Sequence, residues 1–239
     1  MSDNKQFSAL ILGAFLFLGL SSLGYLLGSS AVKVKEYERT VTVKGLSERE
    51  YPADIVIWPI QFTVAENNLE QLYGLIDKST ERLKKFLKSK GISSEDISST
   101  IPAITDKSAQ QYGNQAKAEF RYVAVQTVTV YSKDISAVRK VMSSLSELGK
   151  QGIAFTQDNY QTQTEYLFTR LNEVKPEMIE EATRKAREVA EKFATDSKSR
   201  LGKIKRASQG QFSINARDQN NPHIKKIRVV STVVYYLSD

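Results

Sequence analysis

The chain has no cysteine, one histidine and one tryptophan in 239 residues. Without cysteine there are no disulfides, no thiolate metal sites and no cysteine nucleophile. That is compatible with an oxidising compartment, and equally with a cysteine-free cytosolic protein. A single histidine, His223, cannot supply the usual zinc ligand sets. A Ser-His-Asp triad would have to use it, and no Gly-x-Ser-x-Gly sequence accompanies it. Neither Gly-x-x-x-x-Gly-Lys nor Gly-x-Gly-x-x-Gly occurs. The expectation is therefore a non-enzymatic protein without a cofactor or a resident metal. Direct antioxidant chemistry would lack a thiol.

Two carboxylate pairs, Glu48 with Glu50 and Glu95 with Asp96, are the nearest approach to acid–base machinery. Such chemistry needs two carboxylates in differently tuned environments. Glu95 and Asp96 stand where a turn precedes a strand, a solvated position. His223 follows Asn220, Asn221 and Pro222, a turn composition, and is expected to be exposed in a loop.

The first ~30 residues differ in composition from the rest. Phe7 to Gly28 is 22 residues without a charge. As a helix it spans about 33 Å, enough to cross a bilayer core. Two readings fit: an uncleaved anchor, or a secretory signal cut near Ala31 with Ser29 at the small −3 position. Length favours the anchor, because cleaved apolar regions usually run about 7–15 residues. The flanking Lys5, Lys33 and Lys35 do not decide orientation, since long domains translocate largely regardless of such charges. The organisation is then residues 1–30 as anchor or signal segment, 31–38 as a charged stalk, and 39–239 as the folded part. About 200 residues suffice for one large domain or two small intertwined ones. Charged residues, at 26%, and hydrophobic ones, at 41%, match a globular chain rather than a disordered one.

Val41 and Val43 alternate with polar residues until Gly45 breaks the run. Asp54–Ala65 is strand-like, with Pro59 pointing to an edge or a bulge. Asn68–Lys90 has helical spacing and Gly91 as a stop. A short strand follows near Ile97–Ile104, then a polar loop from Asp106 to Gln115. Phe120–Tyr131 alternates clearly. Ile135 to Leu148 forms a second helix, and Gly152–Thr169 returns to strand. Pro176 opens a third helix, whose face is Ile179, Ala182, Ala186, Val189, Phe193 and Leu201, with Gly202 as its cap. Ile204–Ile214 and Ile224–Leu237 are final strands joined by the loop Ala216–His223. The class is α+β: about three helices on a largely antiparallel sheet, preceded by one N-terminal transmembrane helix.

The net charge of +7 lies on the folded part, because Asp3 and Lys5 cancel. A moderate excess favours anionic surfaces without implying nucleic acid. Its clearest concentration is Lys198, Arg200, Lys203, Lys205 and Arg206. It fits an anionic-lipid or nucleic-acid patch, or cations at a helix C-terminus favoured by the dipole; export disfavours nucleic acid. Lys225, Lys226 and Arg228 are expected to lie near this cluster. Trp58 reads as a core or interface aromatic. Tyr122, Tyr131, Tyr160, Tyr166, Tyr235 and Tyr236 suit half-buried sheet faces or a self-association surface.

Four segments carry a resemblance. RTVTVKGLSEREYPADIVIWPIQFTVAE has a short strand ending in Gly, a small turn, then Pro and Asp before a long strand. LKSKGISSEDISST has a helix end, Gly-Ile and a Glu-Asp-Ile turn. EEATRKAREVAEKFATDSKSRLGKIKRASQG repeats Ala and Lys/Arg along a helix that ends in Leu-Gly. IRVVSTVVYYL closes on an alternating strand. Over residues 39–237 this resembles the SIMPL domain family. It departs in Gly-Leu-Ser for the common Gly-x-Gly, and in Phe193–Ser197 for a Leu-Gly-rich spacing. The resemblance implies a bacterial periplasmic or envelope protein of the group linked to oxidative-stress defence. It implies a non-catalytic domain that self-associates into a homo-oligomer, as a large ring, and it supplies no catalytic residues. With the anchor through residues 7–28, it places a single-pass protein in the inner membrane with its domain in the periplasm; signal cleavage would leave that domain free in the periplasm. The alternative is an envelope module that binds lipid or another anionic ligand through the basic segment.

Overall fold

The computed structural model describes residues 3–36, 39–109, 119–156 and 163–238. Helix α1 (Asp3–Glu36) contains the apolar stretch Leu12–Lys33, none of which is buried. The rest is α+β, with antiparallel sheets and packed helices, as the periodicities predict.

The chain divides into two compact units. The first combines the segment up to Glu48 with Val174–Ser213 and the segment from Arg228 onward; the second combines Arg49–Glu173 with Ile214–Ile227. The boundaries fall inside β1 (Thr40–Pro52), β9 (Ser213–Ala216) and β10 (Ile224–Ser238), and in the first turn of helix α5 (Leu171–Asp196).

In the second unit β2 (Ile55–Glu66) pairs along its whole length with β5 (Tyr122–Ser132). On the outer side of β5 lie β3 (Ile97–Ser99) and β4 (Ala103–Asp106); on the outer side of β2 lie β6 (Ala154–Phe155) and β7 (Glu165–Leu167). β2 is therefore central, not an edge. Pro59 is accommodated because its ring nitrogen faces β6 and β7 in the stretch between their pairings. Gln61, two residues on and so on the same side, accepts from Thr156 N–H at 3.0 Å. Even-numbered residues of β2 and β5 form the core face, with Val56, Trp58, Ile60, Phe62, Val128 and Val130 all buried. Helix α2 (Leu69–Ser89) puts Leu83 and Leu87 on this face, and α3 (Ile135–Ser144) adds Val138 and Val141. Each such side chain contributes about 2 kcal/mol by burial. Asn68 caps α2 by accepting from Gln71 N–H at 3.1 Å, and Asp134 caps α3 through Ala137 N–H at 2.9 Å.

Three expected elements are broken up. The strand at Ile97–Ile104 is two short strands, β3 and β4, interrupted at Thr100–Pro102, where proline cannot donate to the ladder. The second helix stops at Ser144 and resumes as the single turn α4 (Ser146–Gly149). Within Gly152–Thr169 only β6 and β7 are strands among the described residues. Tyr160 and Thr162 lie outside these, as does most of the expected Asp106–Gln115 loop, which opens with the 3-10 turn Lys107–Ala109.

In the first unit the strand order is β1-β10-β8, where β8 is Arg200–Gln209, and β9 also pairs β10. Helix α5 covers one face. Gly45 does not break β1; the strand runs through it. A methyl group at Gly45 would lie 1.8 Å from Ala182 O and 2.5 Å from Ala186 N, so the glycine admits the helix backbone. The buried row of α5 is accordingly Met178, Ala182, Ala186, Ala190 and Ala194. Val189 and Phe193, expected on that face, are 38% and 54% exposed. The helix starts five residues before Pro176, whose missing N–H costs one bond near the first turn. It ends at Asp196, not at Leu201. Lys198 takes the left-handed conformation (φ 55°); Lys198 N–H bonds to Thr195 O, and Ser199 N–H to Ala194 O at 2.8 Å. This is a Schellman end with lysine where glycine is usual. Gly202 is instead a strand residue; a methyl there would lie 3.0 Å from Tyr236 O.

Candidate functional site

The expected basic cluster lies along an edge strand. Only Lys198 sits at the helix end. Arg200, Lys203, Lys205 and Arg206 are on β8, so the helix dipole does not account for them. Every β8 residue except Leu201 is exposed. In the register with β10, Ser238 faces Arg200, Tyr235 faces Ile204 and Val234 faces Arg206, with irregularities on either side of Tyr235. Residues directly opposite share a face. Tyr235 is buried beneath α5 with Ala186 and Ala190, so Arg200 and Arg206 are on the face away from the helix. Lys205 joins them there, its ammonium 5.3 Å from the centre of the Tyr236 ring. Among the described residues, Lys198, Arg200, Lys203 and Arg206 form no ion pair within 4.0 Å.

The face away from α5 continues across β10 and β1. Val230, Thr232, Val234 and Tyr236 are half-buried; Thr42, Lys44, Leu46 and Glu48 are exposed. Glu48 reaches Arg228 at 4.0 Å. Its sequence neighbour in the carboxylate pair, Glu50, turns instead to Arg217 at 3.7 Å in the second unit, so the two have separate cationic partners. Lys225 and Lys226 belong to the second unit. Burial lowers the Lys225 ammonium from its ordinary range, with Glu165 opposing.

His223 corrects the expectation of an exposed loop residue: it is half-buried. Arg139 Nη1 donates to its Nε2 at 2.9 Å. A guanidinium only donates, so the ring is neutral with its proton on Nδ1. That Nδ1 is buried without a partner among the described residues. Tyr166 meets the ring edge-on at 6.0 Å, and His223 O accepts Ala53 N–H at 2.8 Å. Burial, then Arg139 and Arg217, pull its pKa down; Asp218 opposes weakly. The loop before it is wound around Asp218, which accepts from Asn220 and Asn221 N–H at 2.9 and 2.8 Å and from Arg217.

The arrangements missed by sequence reading are structural. Asp106 accepts from Arg121 Nε and Nη2 at 3.2 and 2.9 Å and from Ser108 Oγ at 2.6 Å, and Arg121 holds it well below the usual carboxylate range. Asp54 accepts Thr169 N–H at 2.9 Å and pairs with Arg170 at 3.3 Å. These partners are 15 and more than 100 residues apart in sequence, so no local signal announces them. Trp58 is a core residue. Tyr166 and Tyr235 are buried, Tyr122 and Tyr236 half-buried, and Tyr131 is 47% exposed.

Antiparallel sheets with packed helices, preceded in sequence by an apolar N-terminal helix, define an α+β class. A family model described as "SIMPL: Protein of unknown function (DUF541)" matches residues 41–233, well over half of the chain. The chain belongs to the SIMPL family. A search of curated proteins found no match to it.

Proposed function

We propose that this is a membrane-anchored, non-enzymatic SIMPL protein of the bacterial envelope, whose folded part assembles with copies of itself into a scaffold or channel-like oligomer that supports stress defence. The observation that supports this most is the flank of β1. β1 ends its sheet, and among the described residues no strand covers its outer side. An uncovered edge is a template for another strand. Glu181, Lys185, Val189 and Phe193 follow at four-residue spacing along α5, and Glu181 accepts from Ser47 Oγ on β1 at 2.8 Å. That hydrogen bond ties Glu181 to β1, and Val189 and Phe193, further along the same row, present exposed apolar surface. The opposite edge, β8, is guarded by Lys203, Lys205 and register irregularities, devices that discourage edge pairing. A second copy therefore fits at β1. Light scattering on the detergent-extracted full chain tests this. A uniform oligomer, dissociated by Val189→Glu with Phe193→Glu while circular dichroism is retained, is the expected result. A monomeric parent chain overturns it.

A second reading, an anionic-ligand module, is favoured by one observation: among the described residues, Arg200, Lys203 and Arg206 are exposed on β8 without an acidic partner.

A further inference from the structure

In the first unit α5 lies on one face of the sheet, and on the opposite, open face Thr42, Lys44 and Leu46 are exposed among the described residues. Across the part of the open face in the first unit stand Lys44, Arg200, Lys205, Arg206 and Arg228, against Glu48 as the single acid among the described residues. Between the cations lie Leu46, Val234 and Tyr236. A cationic rim around aliphatic side chains and a tyrosine is the composition of a surface that rests in a headgroup layer.

Chain length brings this face to a membrane. From Lys33, the last residue of the apolar stretch, to Thr40 at the start of β1 there are only seven steps. Seven residues span at most about 25 Å. Thr40 belongs to the same end of the sheet as Arg200, because Leu237 N–H bonds to Arg39 O while Ser238 pairs with Arg200. The link from Lys33 to Thr40 carries a net charge of only +1, Lys33, Lys35 and Arg39 against Glu36 and Glu38, so most of the attraction comes from the sheet face.

We propose that this open face docks on anionic phospholipid headgroups of the bilayer that α1 spans, so that the sheet lies against the membrane. The proposal rests on α1 being retained as an anchor and on the basic strand binding anions. It differs from a simple basic patch in its membership. Lys44, Leu46, Val234 and Tyr236 belong to it; Lys198, in the turn after α5, does not. Tethering keeps the local concentration of headgroups high, so weak contacts suffice.

The cysteine-free chain makes the test direct. Thr42→Cys on the open face and Lys192→Cys on the exposed side of α5 each place one fluorophore on the full chain. Each labelled chain is reconstituted into nanodiscs of phosphatidylcholine alone or with phosphatidylglycerol, both doped with a headgroup quencher. Quenching of the Thr42 label only with phosphatidylglycerol is expected, reversed by salt. The Lys192 label stays unquenched. The triple change Arg200→Glu, Lys205→Glu and Arg206→Glu weakens docking by roughly a hundredfold or more. Equal accessibility of the Thr42 label in both lipids refutes docking, and so does quenching of the Lys192 label instead. If the Thr42 label responds to soluble tripolyphosphate but not to phosphatidylglycerol, lipid docking fails while the anion-binding reading survives. If the chain does not enter nanodiscs at all, the anchor reading and the docking fall together.

Discussion

Replacing Gly45 with alanine puts the close approach of β1 and α5 to the test. The new methyl would sit 1.8 Å from Ala182 O, 2.5 Å from Ala186 N and 2.9 Å from Ala182 C. Ordinary contact begins near 3.4 Å, so helix or strand must give way by about 1.5 Å. All three obstacles are backbone atoms inside a helix, and no side chain can rotate to relieve the overlap. Retreat of the helix would loosen the cluster of Val43, Ala186, Ala190, Val233 and Tyr235. Overpacking in a well-packed core costs about 1–3 kcal/mol, and a backbone obstacle puts this site at the upper end, about 3 kcal/mol. Gly74 on the exposed side of α2 is the control: nothing lies within 4 Å, so Gly74→Ala should gain about 0.5–1 kcal/mol through helix propensity. Urea unfolding of the full chain in detergent measures both variants by circular dichroism, with amide hydrogen exchange locating the loss in α5. A Gly45→Ala variant within about 1 kcal/mol of the parent, with α5 protection unchanged, would refute the packing argument.

Three further outcomes are expected. His223 is neutral in the fold and its pKa lies below the ordinary 6.5, so the unfolded chain binds the extra proton. Stability should therefore fall as pH drops below about 6.5 and level off beneath the folded pKa; since no other histidine exists, His223→Gln should remove this slope in urea unfolding between pH 7.5 and 5. Lys198→Gly should raise the melting temperature, relieving about 1 kcal/mol of left-handed strain at φ 55°; a lower melting temperature would contradict the Schellman assignment. Asp106 should keep its charge under acid that protonates ordinary exposed carboxylates, visible by NMR titration, and Arg121→Ala should bring it back towards the usual range.

What the sequence revealed followed periodicity. The apolar N-terminal run, helix α2 and strands β2 and β5 all carry long, unbroken patterns, and each appears close to its expected bounds. Glycine and proline misled where their role is tertiary. Gly45 looks like a stop but makes room for α5; Pro59 looks like an edge marker but faces a stretch between the pairings of a central strand. Pro176 looks like a helix start, though a turn precedes it. Ala row or Val–Phe row could equally have been the inner face of α5, and only the glycine opposite selects the alanines. The basic residues were legible as a group, but whether they lay at a helix end or on a strand depended on Lys198 adopting a conformation that sequence assigns to glycine. The environment of His223 draws on Arg139, 84 residues away, which no local pattern can reveal.

The first unit is stitched from three separate stretches, the last of which begins at Arg228. That has a consequence for the order of events during synthesis. The strand β10 sits between β1 and β8, so neither can acquire its neighbour until almost the entire polypeptide has been made. β1 emerges early, directly behind the apolar helix, and must wait unpaired while nearly two hundred residues follow. The second unit takes most of its mass from the uninterrupted stretch Arg49–Glu173, and so has the shorter wait. Assembly thus ends with a late strand closing a long loop, a slow step that exposes β1 meanwhile. Premature termination anywhere before Arg228 would leave β1 and β8 without the strand that joins them, and would make the nascent edge a target for quality-control proteases or for a neighbouring chain.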